Sequence, residues 1–97
     1  MNATLNIYKD CTSEKPTKTF TCRRLTLGVS KKVQSLSDKM VGKTEEEQEQ
    51  ITIEILKSIF PDFETDDFNG LDPTEYLRFV NEIQKETTEI IENAAKN

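Results

Sequence analysis

This chain of 97 residues has no histidine and no tryptophan, and only three glycines, three prolines and two cysteines. Each shortage removes a class of chemistry. Without histidine there is no imidazole to act as a general base near neutral pH, and a zinc site loses its commonest partner for cysteine. Cys11 and Cys22 lack Cys-x-x-Cys spacing, so both are expected as reduced thiols with packing roles. The scattered glycines form no phosphate-cradling loop. No cofactor, no metal and no enzymatic activity is therefore expected. Long apolar runs are missing too. Nothing approaches the ~20 residues of a membrane span, and the opening Met-Asn-Ala-Thr-Leu-Asn lacks a signal-peptide stretch. A cytoplasmic protein without membrane partners is the expectation.

What is present is charge, and it is divided. Residues 1–43 carry nine Lys/Arg against three acids, a net +6, while residues 44–97 carry four against fifteen, a net −11. Such a molecule has two unlike halves. The basic half can lie against the acidic helices of the same chain, or unlike patches of neighbouring copies can meet head to tail, which makes self-association an expected property. Basic residues such as Arg23, Arg24, Lys31, Lys32, Lys39 and Lys43 do not make a nucleic-acid site persuasive, because fifteen acids would repel the phosphates. The acidic stretch from Asp62 to Gly70 has the composition of a calcium loop, but its register fails: an EF-hand needs glycine where Asp67 stands and a bidentate glutamate where Pro73 stands.

Periodicity predicts an α+β fold, mainly α, in one domain over residues 1–97, with a hairpin in 1–25 and a helical part in 26–97. Residues 4–9 and 18–24 alternate with period two, around the polar, turn-rich stretch 10–17. Two strands alone are marginal, so the Leu5, Ile7, Phe20 and Cys22 face must lie on a helix or on another subunit, and the hairpin edges are open to strand addition. From Thr26 the period becomes helical, through Val29, Val33, Leu36 and Met40, ending near Gly42. A second helix starts at about Glu45 behind the Thr44/Glu47 capping box. It carries the stripe Ile51, Ile55, Leu56, Ile59 and Phe60 and stops at Pro61. Within it, Ile51-Thr52-Ile53 also has strand character. One short helical turn capped by Thr65 and leaving through Asn69-Gly70 comes next. Asp72-Pro73-Thr74-Glu75, an N-cap with a capping-box acid, then opens a long helix over residues 73–95. Its stripe is Tyr76, Phe79, Val80, Ile83, Thr87, Ile90, Ile91 and Ala94. At about 1.5 Å per residue this helix outruns a domain of this size, so its last turns should project.

Four segments in order, Phe20-Thr-Cys-Arg-Arg-Leu-Thr-Leu, Ile55-Leu-Lys-Ser-Ile-Phe-Pro-Asp-Phe, Gly70-Leu-Asp-Pro-Thr-Glu-Tyr and Ile91-Glu-Asn-Ala-Ala-Lys-Asn, resemble the small tail assembly chaperones of long-tailed bacteriophages infecting Gram-positive bacteria. The likeness covers nearly the whole chain and rests on joint order and spacing. It implies a protein that coats the aggregation-prone, helical tape measure protein and is released as tail tube subunits polymerise around it. Such a protein acts in the host cytoplasm and is absent from the mature virion. The resemblance further implies a short and a longer form, the longer made by a one-base backward frameshift and able to recruit the major tail protein. The ending Ala94-Ala95-Lys96-Asn97 suits a slippery codon run, which the codons decide. Ile83, Ile90 and Ile91 are the candidate protein-binding residues. A virion head–tail completion protein and a small acidic regulator of a host protein are the alternatives.

Overall fold

The computed structural model describes residues 1–96; Asn97, the last residue of the suggested slip site, lies outside the described residues. Alternation at the start of the chain produces β1 (Ala3–Ile7), paired antiparallel with β2 (Lys18–Cys22) in the register Ala3 to Cys22, Leu5 to Phe20 and Ile7 to Lys18. Both strands stop two residues short of the spans predicted from alternation, leaving Tyr8, Lys9, Arg23 and Arg24 outside them. Between the strands, the Asp10 carboxylate accepts from the Thr12 backbone N–H at 2.9 Å and the Thr12 hydroxyl at 2.7 Å, an Asx-type turn. Those bonds, the hydroxyl's first, hold the Asp10 carboxyl below its ordinary range.

The helices are α1 (Leu27–Asp38), α2 (Glu45–Ile59) and α3 (Pro73–Lys96), with a 3-10 turn at Thr65–Gly70 before α3. Thr26 caps α1 by accepting from the Val29 N–H, and Gly42, in the left-handed region at φ 78°, turns the chain after it. The predicted capping box opens α2. The Thr44 hydroxyl accepts from the Glu47 N–H at 3.2 Å, and the Glu47 carboxylate accepts from the Thr44 N–H at 3.2 Å. Bonding to Thr44, chiefly to its backbone, lowers the Glu47 pKa. Ile51-Thr52-Ile53 is helical throughout. Its Ile53 is buried, whereas Ile51, Ile55 and Ile59 are half-buried, so the most buried face of α2 is Ile53, Leu56 and Phe60, with Ile55 and Ile59 packed at the core's edge.

Two predicted caps differ. The short turn is closed by the Asp67 carboxylate, which accepts from the Glu64 N–H at 2.9 Å, while the Thr65 hydroxyl instead accepts from Lys57 at 2.9 Å. Asp72 does cap α3, taking the Thr74 and Glu75 N–H groups at 2.9 and 3.1 Å. Glu75, however, does not reach back as a capping-box acid. Its Oε1 accepts from Asn6 at 3.2 Å and from the Tyr8 hydroxyl at 3.1 Å, tying α3 to β1.

The hairpin's apolar face lies on helices of its own chain. Ala3, Leu5, Ile7 and Cys22 join Leu25, Val33, Leu56, Phe60, Phe63, Phe79 and Ile83 in one core. Phe20 stacks over Phe60 and Phe63 with ring centroids 5.2 and 5.7 Å away, and Phe60 reaches Phe79 at 5.6 Å. One hairpin edge is partly covered: Ile7 bridges to Leu71, and the Tyr8 N–H donates to the Gly70 carbonyl at 2.8 Å. Beside it Lys18 forms ion pairs with Asp67 at 3.0 Å and Glu64 at 3.5 Å. Hydrogen bonding to Asp67 raises the Lys18 pKa. Among the described residues these are the ion pairs within 4.0 Å. The basic α1 therefore meets the acidic helices through Ser30, Val33 and Leu36, with Lys31, Lys32 and Lys39 exposed. Cys22 packs as expected, its burial pushing the thiol pKa up. Cys11 is exposed on the hairpin loop and has no packing role. Among the described residues no helix is long and apolar enough to cross a membrane.

Candidate protein-binding face

α2 and α3 each pack on α1, and Phe60 at the end of α2 meets Phe79 of α3. Beyond that contact the two helices leave a trough of about 250 Å³, floored by Val33, Leu56, Phe79 and Ile83. Its walls are Thr52, Ile55 and Ile59 of α2 and Tyr76, Val80 and Gln84 of α3. A crevice of about 240 Å³ continues along α3 past Gln34 and Ser37 to Thr87 and Thr88. Not one charged residue lines either space, in a chain that is 32% charged.

Helix geometry explains the segregation. At 3.6 residues per turn, Glu75, Arg78, Glu82, Lys85, Glu86, Glu89 and Glu92 all fall within an arc of about 120° on α3. Inside the remaining arc run two adjacent stripes. The inner one, Phe79, Ile83 and Thr87, is buried in the protein's own core; the outer one, Leu77, Val80, Gln84, Thr88 and Ile91, is half-buried or exposed, Leu77 at 60%. Single exposed apolar residues mean little, but a continuous uncharged strip beside an apolar trough is a candidate contact surface. Two hydroxyls under the strip, of Ser30 and Thr87, are buried without a hydrogen-bond partner.

The structure separates the three candidate residues. Ile83 is 3% exposed and belongs to the core, where it forms part of the trough's floor. Ile90 packs on the margin of that core. Ile91 alone lies on the outer stripe, half-buried. The helix does project, but only from Glu92, after which Glu92, Asn93, Ala94 and Ala95 are all exposed. Both isoleucines therefore precede the overhang. Leu77, Gln84 and Thr88 were absent from the stripe expected from the sequence, although the recurrence of uncharged residues at three- and four-residue steps was there to be read.

Another space, about 390 Å³ between the hairpin loop and the start of α3, is lined mainly by polar residues, including Lys9, Asp10, Glu14 and Asp72. At its edge the Tyr8 hydroxyl donates to the Glu75 carboxylate, and this bond raises the Tyr8 pKa; at the trough, burial raises that of Tyr76. Both phenols thus favour the protonated form when folded. The unfolded chain ionises first, at about 10, so the stability these groups contribute is fully present below that pH. It is lost as pH rises through the raised values. With two tyrosines and no tryptophan, an absorbance titration of tyrosinate should have its midpoint above 10 in the native protein and return to about 10 in urea.

Compared with known protein families, characterised proteins and solved structures, the chain matches none.

Proposed function

We propose that this chain is a phage tail assembly chaperone that holds the tape measure protein soluble until the tail tube forms around it. In this reading it works in the host cytoplasm and is absent from the mature virion, and a frameshift-extended form recruits the major tail protein. The observation that carries the reading is the uncharged outer strip of α3 with its adjoining trough. A helical client with long apolar stripes needs a cover that is apolar, free of charge and weak enough to be displaced. Many small copies, each making a moderate contact, hold such a client by avidity and can be peeled off one at a time. The segment resemblance directs this protein-binding surface toward the tape measure protein in particular.

Co-expression with the tape measure protein encoded by the same phage tests the proposal. Solubility of the client only in the presence of this chain, and co-purification of several copies, is the expected result. A client that stays insoluble beside a soluble chain overturns it. The two isoleucines should then divide. Ile91→Asp should weaken client capture about 10-fold or more with little change in melting temperature, whereas Ile90→Asp, at the core margin, should lower the melting temperature itself. Equal loss of stability and capture in both variants would place Ile91 in the core.

A further inference from the structure

α1 is held differently from the rest of the molecule. The hairpin, the 3-10 turn and α3 are joined by polar bonds: Lys18 to Asp67, the Tyr8 N–H to the Gly70 carbonyl, and Asn6 and Tyr8 to Glu75. α2 is tied to the same turn through Lys57 and Thr65. Among the described residues, no hydrogen bond or ion pair joins Leu27–Asp38 to any other element; the bond from the Gln48 amide to the Met40 carbonyl, at 3.2 Å, lies past the helix end. Apolar contact alone therefore seats α1, and the seat is imperfect. The buried Ser30 and Thr87 hydroxyls have no partner, and the crevice between α1 and α3 runs beside Thr87. Each unmatched hydroxyl weakens the closed arrangement, because water satisfies it on opening. Nor is α1 a strong helix on its own. Gly28, Val29, Ser30, Val33, Ser35 and Ser37 are weak helix formers, its first turn has no acid and its last no base.

We propose that α1 is a detachable cover, which opens as a unit from an otherwise folded molecule and yields its place to a helix of the client. In the closed form its Val33 completes the trough floor with Leu56, Phe79 and Ile83. Lifting α1 uncovers those three residues and widens the trough into a groove along α2 and α3. The occupant is identified by what sits there already. Val29, Val33 and Leu36, at steps of four and three, are a short apolar stripe on a helix, so the surface they vacate fits another such stripe. Gly42, at φ 78°, and the exposed residues 41–44 leave the chain free to swing at that end. Resting on the chaperone reading, the cover adds a reason why the client is held weakly: α1 competes for the same groove and reclaims it on release.

Native-state hydrogen exchange of the full chain in increasing urea tests the cover. Amides of α1 should be protected about 10-fold or more below those around Phe79 and Ile83, with a shallower dependence on urea, the mark of a partial opening. Gly28→Ala with Ser30→Ala strengthens α1 without removing an apolar contact, since a Cβ at Gly28 meets nothing within 4 Å and Ser30 loses only its unmatched hydroxyl. This double variant should raise α1 protection about fivefold and weaken capture of the tape measure protein by the same factor, because only the open form admits the client's helix. Amides of α1 that exchange together with those of α3, at one free energy and one urea slope, overturn the proposal. So does a double variant whose α1 protection rises while capture is unchanged. The chaperone reading fails by another result: a wild-type chain whose α1 opens on its own yet captures no tape measure protein overturns that reading, and the client's place in the groove with it.

Discussion

Gly70→Ala should remove about 3 kcal/mol of stability, a large share of the 5–15 kcal/mol typical of a whole domain. The reason is crowding at one point. A Cβ added at Gly70 would stand 2.6 Å from the Tyr8 carbonyl oxygen and 2.6 Å from the Ile7 Cγ2. The first of these is backbone and cannot swing aside. Relief requires the turn to back away from β1, which breaks the 2.8 Å bond from the Tyr8 N–H to the Gly70 carbonyl and the Ile7 to Leu71 bridge. Urea unfolding followed by circular dichroism measures the loss. Gly28, where an added Cβ meets nothing within 4 Å, is the control: Gly28→Ala in α1 should be neutral or stabilising, since alanine is the better helix former. Equal effects at the two glycines would mean that the close approach is not what holds the turn to the strand.

Phe60→Ala should cost about 3–5 kcal/mol. Phe60 ends α2 at 7% exposure and stands between the hairpin, through Phe20, and α3, through Phe79. Its removal opens a cavity where hairpin, the end of α2 and α3 meet, so the lost contacts belong to three elements at once. Thermal melting should show a single transition at much lower temperature. A comparable truncation at an exposed site, Val41→Ala at 87% exposure, should stay within about 0.5 kcal/mol. If Phe60→Ala instead melted in two steps, the hairpin would be an independent unit and not part of one cooperative core.

Both sites show where reading the chain in one dimension reaches its limit. The hairpin, the three long helices, the short turn, the Thr44/Glu47 box and the Asp72 cap were all legible, because each depends on residues no more than a few positions apart. Ile53 is absent from the expected α2 stripe, because the direction of burial from α2 is a property of the segments that pack on it, α1 and the hairpin. Glu75 was expected to bond its own helix start, and a tertiary competitor won: Asn6 and Tyr8, sixty-nine and sixty-seven residues away in sequence, present two donors to the same oxygen.

The candidate face divides along the same line. Charge segregation on α3 follows from the sequence alone, since an arc free of charge is a matter of 3.6 residues per turn. Which half of that arc is spent internally could not be read there. Ile83, Ile90 and Ile91 are one residue type on one amphipathic helix, and only the placement of α1 and α2 buries the first, seats the second at the core margin and leaves the third on the outer strip. By itself, then, the sequence determined the elements, the Thr44/Glu47 and Asp72 caps and the uncharged side of the long helix, because local hydrogen bonding and helical periodicity are short-range. The tertiary structure alone decided which apolar residues are core and which remain open to a partner, because burial depends on what other segments arrive to cover them.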